Sequence, residues 1–97
     1  MSNKPLLLIV DDDPLISDSL SHAFAAEFDI VTSHARPHCL ALLRQLRQTP
    51  QVALVDLGLP PQPHRPDEGF ALIGELLAHA PEMKIIVLSG QNGYDNA

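Results

Sequence analysis

The sequence predicts an α/β fold, an open doubly wound parallel sheet with helices on both faces. Three observations predict it. Short apolar runs stop abruptly at acidic or small polar residues. Within these runs apolar residues do not alternate with polar ones, as in strands buried on both faces of a parallel sheet. Helical periodicity fills the gaps between the runs. The resulting order, strand-helix-strand-helix-strand-helix-strand, implies right-handed crossovers.

Leu6-Leu7-Leu8-Ile9-Val10 is the first strand, stopped by Asp11-Asp12-Asp13. Asp13-Pro14 then reads as a helix N-cap followed by the first helical residue. Ile16, Leu20, Ala23 and Phe24 recur at helical spacing, and the pattern runs to about Phe28. Asp29 to Ser33 is a second, more polar strand, expected towards a sheet edge. Pro37 opens the second helix, with Leu40, Leu43 and Leu46 on its stripe. Val52 to Val55 is the third strand, stopped by Asp56, Gly58 and Pro60. Asp67 and Glu68 suit the positive end of the dipole of a third helix. Its expected stripe is Phe70, Ile73, Leu76 and Leu77, and Pro81 marks its end. Ile85 to Leu88 is the fourth strand, stopped by Ser89-Gly90; Gln91 to Ala97 starts a further helix that is not completed.

Ninety-seven residues form one compact domain, 1–97. A chain of this size buries about 60% of its unfolded surface, enough for a core without disulfide staples. Hydrophobic residues make up 45% and charged residues 19%, a globular composition. The net charge of -6 argues against direct nucleic-acid binding and permits a cation site or a basic protein partner. The single cysteine, Cys39, excludes an internal disulfide and fits a reducing compartment. No apolar run approaches membrane-spanning length, and no secretory signal opens the chain, so the expected location is the cytoplasm.

Ligands of an open parallel sheet bind beyond the carboxyl ends of its strands. Asp11, Asp12 and Asp13 follow the first strand, Asp56 ends the third and Ser89 ends the fourth. If the first and third strands are neighbours, Asp11, Asp12 and Asp56 converge. No lysine or arginine falls at the end of a central strand to neutralise them. Clustered carboxylates do not all ionise cheaply, so one keeps a proton or a cation enters. A hard divalent ion such as Mg2+ suits carboxylates, a backbone carbonyl and waters. Asp13 is read as a cap alone. Asp56 taken singly is equally compatible with turn chemistry, and Ser-Gly is an ordinary turn pair. The acidic pair and Asp56 on one rim point to function.

Leu8-Ile9-Val10-Asp11-Asp12-Asp13, Val55-Asp56-Leu57-Gly58-Leu59-Pro60 and Ile86-Val87-Leu88-Ser89-Gly90 together resemble the receiver domain of two-component response regulators. The acidic pair and the D-x-x-x-P element 45 residues on are the specific part. The resemblance covers essentially the whole chain. It implies a flavodoxin-like sheet of strand order 2-1-3-4, with the usual fourth helix mostly missing and the fifth strand absent. It implies that Asp56 accepts a phosphoryl group from the phosphohistidine of a sensor histidine kinase. Asp12, Asp56 and the backbone carbonyl of Gly58 would hold Mg2+ (or Mn2+) directly, and Asp11 would act through a water. Ser89 would bind the phosphoryl group and report its presence. The chain would be a signalling switch rather than an enzyme.

Two departures from the receiver pattern stand out. Pro60 to Pro66 carries four prolines in seven residues, and the expected helix glycine, Gly69, lies nine residues after Pro60, further than in other receivers. This stiff loop either alters kinase access or is inert. Second, the lysine that pairs with the phosphoryl group at the end of the fifth strand has no counterpart. Lys4 and Lys84 both lie at strand starts. The expectation is a fragment of a longer regulator with a C-terminal output domain. The exposed flank of the fourth strand is then expected to self-associate.

Two rival functions are a phosphorylation-independent docking or dimerisation module and a haloacid-dehalogenase-type phosphatase. The phosphatase reads Asp11-Asp12-Asp13 as D-x-D but leaves Asp56 without a role. The remaining candidates are structural. His34 and His38 flank Pro37 and do not form a helical metal pair. His22, His64 and His79 are surface residues, Cys39 is a semi-buried apolar group, and Arg36, Arg44 and Arg47 mark a solvated helix face.

Overall fold

A computed structural model of the chain describes residues 3–88. The elements are β1 (Leu6–Val10), α1 (Pro14–Phe24), β2 (Asp29–Ser33), α2 (Arg36–Gln45), β3 (Val52–Asp56), α3 (Asp67–His79) and β4 (Lys84–Leu88). All strand pairs are parallel, and the order across the sheet is β2-β1-β3-β4. Fold class and strand order are as expected. The serine-glycine turn and the incipient helix predicted after β4 lie outside the described residues.

β1 explains the layering. All five of its residues are buried. Leu8 and Val10 point into a core made with Cys39 and Leu43 of α2 and Leu72 and Leu76 of α3. Leu7 and Ile9 point the other way, into a core with Leu20 and Phe24 of α1 and with Phe28. The two-residue period of a strand thus splits one apolar run between two layers. Each such side chain stabilises the fold by about 1.5–3 kcal/mol relative to exposure. β2 is an edge strand, in accord with its polar sequence. β4 ends the sheet among the described residues, with Ile86 and Val87 exposed.

α1 begins as expected: Asp13 has extended backbone and its carboxylate accepts from the Leu15 N–H at 3.0 Å. The helix ends at Phe24 rather than Phe28. A turn over 25–28 brings the chain to β2, where the Asp29 N–H donates to the Pro5 carbonyl. Phe28 still reaches the core, packed edge-to-face on Phe24 at 6.1 Å.

Three side-chain expectations are corrected. In α3 the buried positions are Gly69, Leu72 and Leu76, while Phe70 and Leu77 are exposed. The helix meets the sheet through Leu72 and Leu76, and its first turn rests through Gly69 on Leu57. Cys39 is wholly rather than partly buried. Arg36 is not a freely solvated charge. Its guanidinium grips Glu68 through two nitrogens, at 3.0 and 3.3 Å, and Glu75 through the third at 3.0 Å, tying α2 to α3.

Candidate functional site

Strand order reverses between β1 and β3, because β1 leads to β2 on one side and has β3 on the other. Crevices of doubly wound sheets open at such a point, beyond the carboxyl ends of the strands. The β1–β3 register pairs Val10 with Val55, so the next residues on each strand, Asp11 and Asp56, fall side by side. The sheet thereby brings together carboxylates 45 residues apart in sequence.

One carboxylate oxygen each from Asp11, Asp12 and Asp56 lies within 4.8 Å of the others. The Asp11 and Asp56 side chains are each held by a local turn. Asp11 is buried, its own N–H donates to the Ser33 carbonyl at 3.0 Å, and its carboxylate accepts from the Asp13 N–H at 2.9 Å. Asp56 accepts from the Gly58 N–H at 3.1 Å. Such backbone donors fix carboxylate orientation and favour the ionised form. Asp11, Asp12, Asp13, Ile16, Asp56, Gly58 and Pro63 line a cavity of about 210 Å3.

The electrostatics are unfavourable for three anions. Burial, and then the charges of Asp11 and Asp12, push the Asp56 carboxyl up to about 6, against the opposing pull of the Gly58 N–H. Asp11 is also raised, mainly by burial and by its neighbours Asp12 and Asp13. Among the described residues no lysine or arginine pairs with these carboxylates. Lys84 is opposite Val52, at the far end of the strand from Asp56. Hard oxygen donors in this number, mutually repelling and part-buried, match what a divalent ion such as Mg2+ or Mn2+ takes. Asp11, Asp12 and Asp56 each bring one carboxylate oxygen to the place such an ion would take.

Asp11, Asp12, Asp56 and Gly58 are therefore brought together as expected, and Ser89 lies outside the described residues. Asp13 lines the cavity, but its carboxylate is engaged in capping α1. Gly69 is the glycine expected at the start of α3. Its N–H donates to the Leu57 carbonyl at 3.1 Å, and α3 rests directly on the turn that follows Asp56. His34 and His38 stack at 5.0 Å, and His38 Nδ1 shares a 2.7 Å hydrogen bond with Ser33 Oγ, an arrangement of mutual packing rather than ligation.

Two cavity-lining residues carried no signal for this role in the sequence. Ile16 fits the apolar stripe of α1, yet it is exposed at the acidic mouth, and Ser17 takes the inward position beside it. Pro63 lies in the proline-rich loop, whose nearness to the site is legible but whose path is not.

The chain matches the response regulator receiver domain profile over residues 7–97. It belongs to the response regulator receiver domain family. It is 31% identical over 96 residues to the transcriptional regulatory protein AruR of Pseudomonas aeruginosa, covering 95% of this chain and 37% of that protein. The receiver chain thus spans little more than a third of that curated relative. Among solved structures it resembles a CheY-like response regulator receiver domain protein from Methanospirillum hungatei, with 27% identity and a TM-score of 0.76. That match covers 97% of this chain and 68% of the other. A response regulator from Burkholderia pseudomallei, with a phosphorylated aspartic acid, calcium ion and citrate, matches at 24% identity and a TM-score of 0.74. There the coverage is 95% of this chain and 49% of that one. Among the described residues no helix is long and apolar enough to cross a membrane.

Proposed function

We propose that this receiver accepts a phosphoryl group on Asp56 from the phosphohistidine of a sensor histidine kinase, in the cytoplasm, and acts as a divalent-ion-dependent switch. The observation that carries the reading is the convergence of Asp11, Asp12 and Asp56 at the β1–β3 switch point. The phosphatase alternative has no use for Asp56, whereas here Asp56 belongs to the cluster.

In the proposed transfer, an Asp56 carboxylate oxygen attacks phosphorus. The phosphorus–nitrogen bond breaks, and the imidazole leaves as a neutral base once it carries one proton. Positioning and charge neutralisation dominate such transfers. Asp56 must be ionised to attack, and the Gly58 N–H fixes the orientation of its carboxylate. When bound, Mg2+ or Mn2+ neutralises the carboxylates and the incoming phosphoryl oxygens. Asp12, Asp56 and the Gly58 carbonyl would hold it, with Asp11 acting through water. Ser89 would bind the transferred group. On this reading the chain is itself the phosphoacceptor rather than an enzyme acting on a foreign substrate. A C-terminal output domain in the full-length regulator would read its state.

Intact mass after incubation with acetyl phosphate and Mg2+ tests this reading. The expected result is a gain of one phosphoryl group, abolished by chelator and by Asp56→Asn. No gain in the unaltered chain would turn the reading towards a phosphorylation-independent docking module.

A further inference from the structure

The loop between β3 and α3 is the feature of this chain that the receiver reading does not absorb. Its seven residues from Pro60 to Pro66 do not form an extended polyproline strand. The Leu59 N–H donates to the Leu57 carbonyl at 3.0 Å, the Gln62 N–H to Leu59 at 3.2 Å and the Arg65 N–H to Gln62 at 3.0 Å. These successive turns fold the loop back over the end of β3. Arg65, largely exposed, lies 3.7 Å from the Asp67 carboxylate at the start of α3. The result places Pro63 on the lining of the acidic cavity, beside Asp56 and Gly58.

We propose that Pro63 is a wall of the phosphoacceptor cavity that limits the approach of water and so prolongs the life of the aspartyl phosphate. The inference rests on the proposed phosphorylation of Asp56. Its physical basis is the chemistry of the ring. A pyrrolidine has no N–H to donate to a phosphoryl oxygen or to a water, and its fixed φ makes it a rigid wall rather than a mobile flap. Ile16 is the other large apolar side chain of this lining. Both are exposed at the rim, and together they bring apolar surface to the mouth of a cavity otherwise made of carboxylates and glycine. In the hydrolysis they oppose, a water oxygen attacks phosphorus and the bond from phosphorus to the Asp56 oxygen breaks. Asp56 leaves as carboxylate, and the water's protons go to inorganic phosphate and solvent. Restricting where that water can stand slows this step without altering the carboxylates themselves.

The test compares Pro63→Gly with His64→Gly, a neighbour in the same loop that does not line the cavity. Each protein is loaded with acetyl phosphate and Mg2+, the donor is removed, and loss of the phosphoryl group is followed by intact mass. Pro63→Gly is expected to lose it about fivefold faster, a difference of about 1 kcal/mol in barrier. His64→Gly is expected to decay as the parent does, and calorimetric Mg2+ affinity is expected to be unchanged in both. A second readout needs no phosphorylation: Mn2+ added to the parent is expected to broaden the Pro63 ring resonances. Equal decay in parent and Pro63→Gly, or equal acceleration by both substitutions, would overturn the role of Pro63 while leaving the phosphoacceptor reading intact. Unbroadened Pro63 resonances at saturating Mn2+ would overturn it as well. A parent that never labels would overturn both.

Discussion

Asp56 sits where the strand order reverses, and that placement makes its ionisation costly. Burial and two neighbouring carboxylates raise it from 3.8 to about 6. The folded, metal-free chain therefore holds a proton that the unfolded chain has released between pH about 4 and about 6. More protons bound in the folded state means that stability falls as pH rises through this window, and the full cost is present above it. Asp56→Asn removes the contribution. Denaturant unfolding is expected to show the variant more stable than the parent by about 1–2 kcal/mol at neutral pH, after allowance for solvent screening, with the gap closing near pH 4. A gap that does not change with pH would contradict this electrostatic account.

Gly69 acts at the same scale in the opposite way, through the lack of a side chain. A Cβ there would overlap the Leu57 Cα and lie 2.7 Å from its carbonyl oxygen. In an open helix, glycine to alanine stabilises by about 1 kcal/mol. Here the sign inverts, because α3 must back away from the turn that orients Asp56. Gly69→Ala is expected to cost about 1–3 kcal/mol in chemical denaturation, an overpacking penalty. Stabilisation by this substitution would show that the contact is not tight.

At the scale of elements, the sequence was most legible where local chemistry and packing agree. β1 reads as a buried strand because it lacks alternation, and all its residues are buried. Asp13-Pro14 reads as a helix start because the cap is local, and the cap bond forms. The helix faces were less legible. Ala23 and Ile16 complete an apolar stripe on α1, but Ser17 is the buried residue, its hydroxyl satisfied by the Pro14 carbonyl at 3.1 Å. In α3 the first turn is seated through Gly69, which no hydrophobic pattern registers. Arg36 reads as solvated on its own helix, since its partners Glu68 and Glu75 lie more than thirty residues away. Inward small or polar residues and cross-helix ion pairs are properties of the assembled layers, so a pattern along one helix does not reveal them.

At the scale of the whole molecule, the candidate site is a consequence of topology. Asp11, Asp12 and Asp56 follow from strand ends and from the pairing of β1 with β3, and both were readable from apolar runs and the family resemblance. The path of the proline-rich loop was not, because successive turn hydrogen bonds set it. In the proposed reaction the sheet delivers one particular carboxylate, Asp56, as the phosphoryl acceptor. The measurement that tests it most directly is borohydride reduction of the acetyl phosphate-treated chain, followed by peptide mass mapping. An aspartyl phosphate is reduced to homoserine, and the account predicts that conversion at position 56 alone, dependent on Mg2+. Conversion at position 11 or 12, or a phosphoryl group mapped to a histidine, would contradict it.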